Sequence, residues 1–323
     1  MSDDGTYSNI KFHLTALQQV SLLQARGMVV SDENSAQKTL LSLGYYRFAG
    51  YFYAFRKTNP RGTPGRQDEF QDGTSFEIVE QLCEFDRRLR LLILEAAACI
   101  EVAVRCDIAH RLGKQHRIAH EQASLLDANF CLKIQSWSGK TRYAEWKEKL
   151  AIAVDRAKKE DFIKHHASKY GGQIPIWAII EVWDFGLLSK FFAGMQFKDQ
   201  SYIARRYGLQ DGRYLESWLR SINFVRNVSA HHSRLWNRNI VERPKFQPHQ
   251  PHEHLFHLTQ DEHAQTRVYG SLCILKSMLK IVLPHSDWTE RLRILSKTFP
   301  QNPITNLQDA GFPTNWEQKS IWK

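Results

Sequence analysis

Cysteine is scarce in this sequence, and the little there is does not cluster. Cys83, Cys99, Cys106, Cys131 and Cys273 are odd in number and contain no C-x-x-C pair. That argues against a disulfide framework or a thiolate zinc site, and points to a reducing compartment. Long apolar runs are missing as well. The most apolar stretch, Leu91 to Val104, is interrupted by Glu95 and Glu101, short of the roughly 18 apolar residues of a membrane span. Met1 to Asn9 is polar and acidic, without the basic-then-apolar pattern of a leader. The expectation is a cytoplasmic protein with no membrane partner. A phosphate-cradling glycine loop is lacking too. Gly171-Gly172 is not followed by Lys and Ser/Thr, which removes the kinase and NTPase classes.

What the chain does have is length, apolar content and positive charge. With 323 residues, 42% hydrophobic and 24% charged, it can form a large core without covalent staples. A formal net charge of +10 makes a polyanion the natural partner. Aromatics at 12% supply surfaces on which unpaired bases stack.

The apolar spacing reads as helices almost throughout, so the expected fold class is all-α, with a small N-terminal module that has room for short strands. Ser31 is placed to cap a short helix ending at Gly44, and the aromatic run Tyr45 to Tyr53 has the composition of a strand. Thr58 to Gly73 reads as a flexible loop. Three segments follow: 1–73, a small module with an aromatic signature; 74–243, a helical domain; and 244–323, a Pro- and His-rich connector with C-terminal helices and a tail.

Within the helical domain, Thr74 and Glu77 form a candidate capping box. Phe76, Val79, Leu82, Leu89, Ile93, Ala96, Ile100 and Ala103 then recur at helical spacing up to Gly113, with Arg87, Arg88 and Arg90 on the predicted exposed side. A basic helix is predicted from Tyr143 to Tyr170, and another from Ile176 to Gly186 or beyond, opened by Pro175. Asp211 caps a fourth, and helices resume over Gln265 to Leu283 and Asp287 to Lys297. His252-x-His254 in the connector lacks the carboxylate and cysteine company of a metal site, so no metal and no small-molecule cofactor is expected.

Chemistry concentrates in Arg226-Asn227-Val228-Ser229-Ala230-His231. Leu215, Leu219 and Ile222 form an apolar stripe on which Arg226 is the next position. Arginine there is costly without a partner or a polar cleft. On an ideal helix at roughly 100° per residue, His231 lies about 140° further round. Either the helix ends or bends near Ser229, or copies of the motif from two chains complete one site. Attack of a 2′-hydroxyl on its own phosphodiester needs a base, an acid and a cation for the charge on phosphorus. Histidine serves either proton transfer near neutrality, and arginine forks onto phosphate oxygens. Arg-x4-His occurs three times: Arg226/His231, Arg105/His110 and Arg111/His116. The Asn at 227, the stripe position and the aromatic setting single out the first. Asn227 is placed to orient its neighbours, while His232 and Arg234 add basic groups. Glu101 and Asp86 are candidates to pair with nearby arginines or with the motif.

At these residues the sequence resembles the abortive-infection AbiD/AbiF-like (Abi-2) family, which is placed in the HEPN superfamily. The resemblance runs from Gln19–Gly27 and Leu43-Gly44-Tyr45-Tyr46-Arg47-Phe48-x-Gly50-Tyr51 through Phe85-Asp86-Arg87-x-Leu89-Arg90 and Ile100–Arg105. It continues with Pro175-x-Trp177, Phe185-Gly186 and the Arg226 string, and closes on Gly311-Phe312-Pro313-x-Asn315-Trp316. It implies a HEPN-like helical bundle and defence against phage through RNA. Arg226 and His231 map onto the superfamily's R-x4-6-H motif with Asn227 as its polar second position, and His232 also satisfies the spacing. Arg105/His110 is a secondary candidate, followed by Cys106 where a polar residue is usual. The expected activity is metal-independent endoribonucleolytic cleavage by a homodimer, with a structured small non-coding RNA as the implied partner. Arg87, Arg88, Arg90, Arg234, Tyr45, Tyr46 and Arg47 are the expected RNA contacts. The alternative is a non-catalytic RNA-binding regulator or sensor of a defence or toxin–antitoxin system.

Overall fold

The computed structural model describes residues 11–61, 63–246 and 253–323. It is mainly helical, with fifteen α-helices and one two-stranded sheet among those residues. The chain divides into two compact units, one holding the described residues up to Arg88 with Leu295–Leu307, the other Leu89–Ile294 with Gln308–Lys323.

The first unit opens with α1 (Ala16–Ala25), where Thr15 and Gln18 form a reciprocal capping box. Asp32 rather than Ser31 caps α2 (Glu33–Leu43), its carboxylate accepting from the Ser35 N–H. Gly44, at φ +81°, then turns the chain straight into α3 (Tyr45–Phe52). The aromatic run is therefore a helix, not a strand. Phe48, Tyr51 and Phe52 stand three and four apart and are buried together, so the helical period decides over β-propensity.

The strands lie a little further on, one ending where the expected loop begins and the other inside it. β1 (Arg56–Thr58) and β2 (Arg66–Phe70) pair antiparallel, Arg56 opposite Phe70 and Thr58 opposite Arg66, with an irregularity between. Asp68 anchors the hairpin by accepting from Arg26 at 2.8 Å and pairing with Arg56 at 3.1 Å. Phe48 stacks on Phe76 (centroids 4.4 Å apart), and Phe52 meets Phe70 edge-on at 5.3 Å.

α4 (Phe76–Gly113) is the long helix the spacing predicts. Its cap differs in detail. Ser75 Oγ accepts from the Ile78 N–H, and Glu77 takes the Ser31 N–H instead of reaching back to Thr74. In the first unit the buried Asp86 carboxylate accepts from the Tyr51 hydroxyl at 2.7 Å, so this acid pairs with a phenol at the core.

In the second unit α5 (Ala128–Leu132) and α6 (Arg142–Arg156) follow a run of short turns, and α7 (Asp161–Lys169) is separate from α6. Glu160 sits at ψ 140°, outside the helical region, so the single basic helix expected over 143–170 is two. α8 (Ile176–Ile179) is likewise distinct from α9 (Phe185–Ala193), because Asp184 restarts the helix by capping the Leu187 N–H. α10 (Phe197–Arg206) was not singled out by its spacing. It lies against α11 (Gly212–Ala230), capped by Asp211 as expected. The contact is close because residue 212 has no side chain. A Cβ there would stand 2.3 Å from the Gln200 Cβ. Trp146 lies among Trp183 and Phe191 and donates its indole N–H to the Leu187 carbonyl.

The connector forms α12 (Phe256–Thr259) and α13 (Glu262–Gln265), and α14 (Val268–Val282) and α15 (Trp288–Ser296) complete the set. Nearly every residue of α14 from Val268 to Leu279 is buried, as a helix apolar on all sides requires. His249 and His252 lie outside the described residues. His254 meets Ser277 Oγ at 3.3 Å, His257 the Tyr269 hydroxyl at 2.9 Å and His263 the Gln308 carbonyl at 2.8 Å. No described helix is long and apolar enough to cross a membrane.

Candidate functional site

α11 brings the motif together by ending inside it. Leu215, Leu219 and Ile222 are fully buried, as the stripe predicts, and the half-buried Arg226 follows them. The helix stops at Ala230. His231 is its C-cap, and His232 takes φ +57°. The His232 N–H donates to the Ser229 carbonyl at 3.1 Å, and the Ser233 N–H to that of Val228 at 3.0 Å. This is the reversal that glycine usually makes after a helix. Here a non-glycine residue makes it, in a left-handed conformation that costs about 1–2 kcal/mol for an L side chain. The helix end foreseen near Ser229 is thus present, and both His231 and His232 are exposed there.

Asn227 links the parts. Its Oδ1 accepts from Arg226 Nη1 at 3.2 Å, its Nδ2 approaches Asn223 Oδ1 at 3.4 Å, and its carbonyl accepts the His231 N–H at 2.9 Å. Asn227 and His231 together line a hollow of about 440 Å3 with Asn223, Gly186, Lys190 and Arg220. A Cβ at Gly186 would stand 3.2 Å from Asp184 Oδ1 and 4.0 Å from Asn223 Oδ1, so glycine keeps this wall open. Arg226 is not among the residues lining the hollow.

The arginine is instead drawn toward Glu101 on α4. Burial pushes the Glu101 carboxyl above its ordinary range, while Arg105 and Arg226 pull it down. Arg105 forms an ion pair with Glu101, donates to the Trp183 carbonyl and has Glu181 at 3.8 Å. Asp184 faces the same carboxyl. Of the arginines in the three R-x4-H strings, Arg105 pairs with Glu101 directly, and the charge of Arg226 acts on the same carboxyl from further off.

Arg105 and its His110 do not share a setting. His110 is exposed and lines a different hollow, of about 490 Å3, with Arg111, Lys114, Tyr202 and Arg205. Arg111 pairs with the buried Asp199 at 2.6 Å and lies over the Tyr202 ring at 4.3 Å.

The surface residues expected to touch RNA belong to both units. Arg87 and Arg88 both bind Glu84 at 2.6 Å, and together they hold its carboxyl down at about 2. Arg90 is buried, because the inward side of α4 is wider than the apolar spacing alone suggests. Tyr46 and Arg47 are exposed, Tyr45 is half-buried edge-on to Phe52, and the Arg234 carbonyl accepts from Arg238 Nε.

Sequence reasoning passed over Arg220 and Asn223, although the signal was there. Arg220, Asn223, Asn227 and His231 stand at steps of three, four and four, a polar stripe beside the apolar one. Lys190 had no such signal, since it arrives from α9 through tertiary packing.

The fold and site define a mainly helical protein whose basic, polar hollow is built around the end of one helix. Its sequence from 38 to 237 matches the family described as Abi-like protein, and the chain belongs to that family. No curated protein and no solved structure matches the chain. Family membership supports a role in abortive infection, a defence against phage.

Proposed function

We propose that the protein acts on RNA as a metal-independent endoribonuclease of phage defence, active as a homodimer. The observation that carries this reading is the Asn227 link: its side chain holds Arg226 and its carbonyl holds the N–H of His231, at the helix end where that imidazole lines an open hollow with Lys190 and Arg220. A ribose-phosphate seated there puts its 2′-hydroxyl within reach of an imidazole. In the forward step His231 takes the 2′-OH proton. The freed oxygen bonds to phosphorus, the P–O5′ bond breaks, and the leaving oxygen receives a proton from a second imidazole. A second copy of α11 supplies that group and presents Arg226 to the phosphate oxygens, where a guanidinium forks onto developing charge. The products are a 2′,3′-cyclic phosphate and a free 5′-hydroxyl, a pair that forms without redox chemistry or a nucleophilic water.

The test is RNA turnover by the wild type beside Arg226→Ala and His231→Ala, with the end chemistry mapped and chelator added. Loss of turnover in both variants, cyclic phosphate ends and indifference to chelator are expected. Equal turnover in all three proteins overturns the cleavage reading. RNA bound but left intact by the wild type hands the site to the alternative, a regulator or sensor that binds without cutting.

A further inference from the structure

A second hollow of the second unit adjoins the one at His231. It has a volume of about 1120 Å3 and runs between the 133–142 turn, α6 and α9. Ser189, Lys190 and Arg220 line both hollows. The two therefore form one trench with a cationic partition, and only one end of it is accounted for above.

Its charge is unbalanced in a particular place. Lys140 and Arg220 meet carboxylates, Glu148 and Glu242. Lys149 and Lys190 meet none within 4 Å among the described residues, and instead face each other, the Lys149 ammonium pushing the Lys190 pKa down. Glu145 and Asp184 act on Lys190 only from further off, so two exposed ammonium groups held side by side still repel, and an anion that accepts from both relieves the cost.

The far end carries an aromatic. The Gln135 N–H donates to the Lys140 carbonyl at 2.8 Å, and Ile134 and Thr141 form an antiparallel bridge, which makes 134–141 a fixed turn. At its tip Trp137 is 70% exposed, its indole N–H held by Glu145 at 3.2 Å. An anchored, open indole in the same trench as a pair of neighbouring ammonium groups matches what an unpaired nucleotide offers, a flat base and a charged backbone. In a duplex the base faces are already stacked, so the tip selects for a single strand.

We propose that this trench binds single-stranded RNA, with Lys149 and Lys190 on one backbone phosphate and Trp137 stacked on an unpaired base, and leads the strand to His231. The proposal rests on the RNA reading of the His231 site and adds the substrate class and the path.

The experiment uses the full chain carrying His231→Ala, so that nothing is cut, and a labelled oligouridylate followed by fluorescence anisotropy over a salt series. Lys149→Ala with Lys190→Ala weakens binding on the order of tenfold and flattens the salt slope by roughly 0.7, the value for one lost phosphate contact. Trp137→Ala weakens it by a similar order but leaves the slope unchanged, since stacking releases no counterion. Lys158→Ala with Lys159→Ala, an equal charge loss on the α6–α7 connection, leaves the affinity as it was. Lys149→Gln with Lys190→Gln, checked by thermal melting, repeats the charge test without truncation. Parental affinity in the trench variants overturns the proposal. So does an equal loss in the Lys158/Lys159 control, tighter binding of duplex than single strand, or equal competition by polyglutamate, which makes the trench a site for acidic peptide. Trench variants that lose binding, while Arg226→Ala and His231→Ala cut as well as the wild type, sink the catalytic reading and leave the trench standing.

Discussion

Arg226 gives Nη1 to the Oδ1 of Asn227, its own neighbour in the chain, at 3.2 Å. Asn227 also takes the His231 N–H on its carbonyl, so the bond couples the guanidinium to the residue that closes the helix, although Arg226 itself does not line the hollow. The first prediction concerns that bond. Arg226→Ala lowers RNA turnover by about 100-fold or more, as loss of a charged donor does, and Arg226→Lys restores little because an ammonium cannot fork. His231→Ala costs about 100- to 10,000-fold, the range of general acid–base catalysis. Single-turnover kinetics on a labelled strand measures both.

His232 separates backbone from side chain. Glycine takes φ +57° without strain, so His232→Gly stabilises the protein by about 0.5–1 kcal/mol. If His231 is the proton carrier, turnover is retained. Thermal melting and the turnover assay read the two effects apart. Lost turnover in a protein with a raised Tm would transfer the catalytic role to His232.

Glu101 pairs with Arg105 and lies in the field of Arg226. Glu101→Gln keeps a hydrogen-bond partner for Arg105 but removes the charge, leaving Arg105 and Arg226 to repel each other at a mostly buried position. The expected cost is about 1–3 kcal/mol. A fall in turnover beyond what unfolding explains accompanies it, since Arg226 is freed to move. Denaturant titration beside kinetics at low temperature distinguishes the contributions.

His120 is buried, and burial, with Lys147 nearby, holds its pKa down at about 4. A histidine depressed in the fold binds its proton more readily when unfolded. Its contribution to stability is therefore present above pH 6.5 and lost as pH falls from 6.5 toward 4. The shift corresponds to about 3 kcal/mol at most. Tm measured from pH 7 down to 4.5 falls in the wild type, and less steeply in His120→Gln. Parallel curves would remove this histidine from the account.

Gly212 sets the approach of α10 to α11. Gly212→Ala drives a methyl into Gln200, whose own Cβ is the nearest atom. The overpacking costs about 1–3 kcal/mol, and turnover falls with stability because α11 carries the site. A Tm equal to wild type would show that the two helices separate freely.

The long α4, the Asp211 cap and the burial of Leu215, Leu219 and Ile222 were legible in the chain, because each is local. Repeating spacing, a capping side chain and a stripe all act within a few turns. The aromatic run at 45–52 misled since tyrosine and phenylalanine favour strands. Only the burial of Phe48, Tyr51 and Phe52 on one side shows the helical period winning. The breaks at Ala157–Glu160 and Trp183–Asp184 were missed because only a few residues leave the helical region there, between good helix formers. At the site, the three Arg-x4-His strings look alike in sequence. It takes the fold to pair Arg105 with Glu101, within the field of Arg226, and to send His110 to another hollow. Lys190 and Trp137 came from elements distant in sequence, and no pattern near residue 226 announces them.

Lys190 and Arg220 belong to both hollows, and a shared wall transmits charge in either direction. A polyanion too bulky to reach the imidazole still blunts the positive potential beside it once lodged on the Trp137 side. On the proposed ribonuclease reading, an inhibitor therefore need not resemble a scissile nucleotide. Sulfated polysaccharides and longer cleavage fragments would then compete from next door, and the shorter the fragment, the weaker its grip.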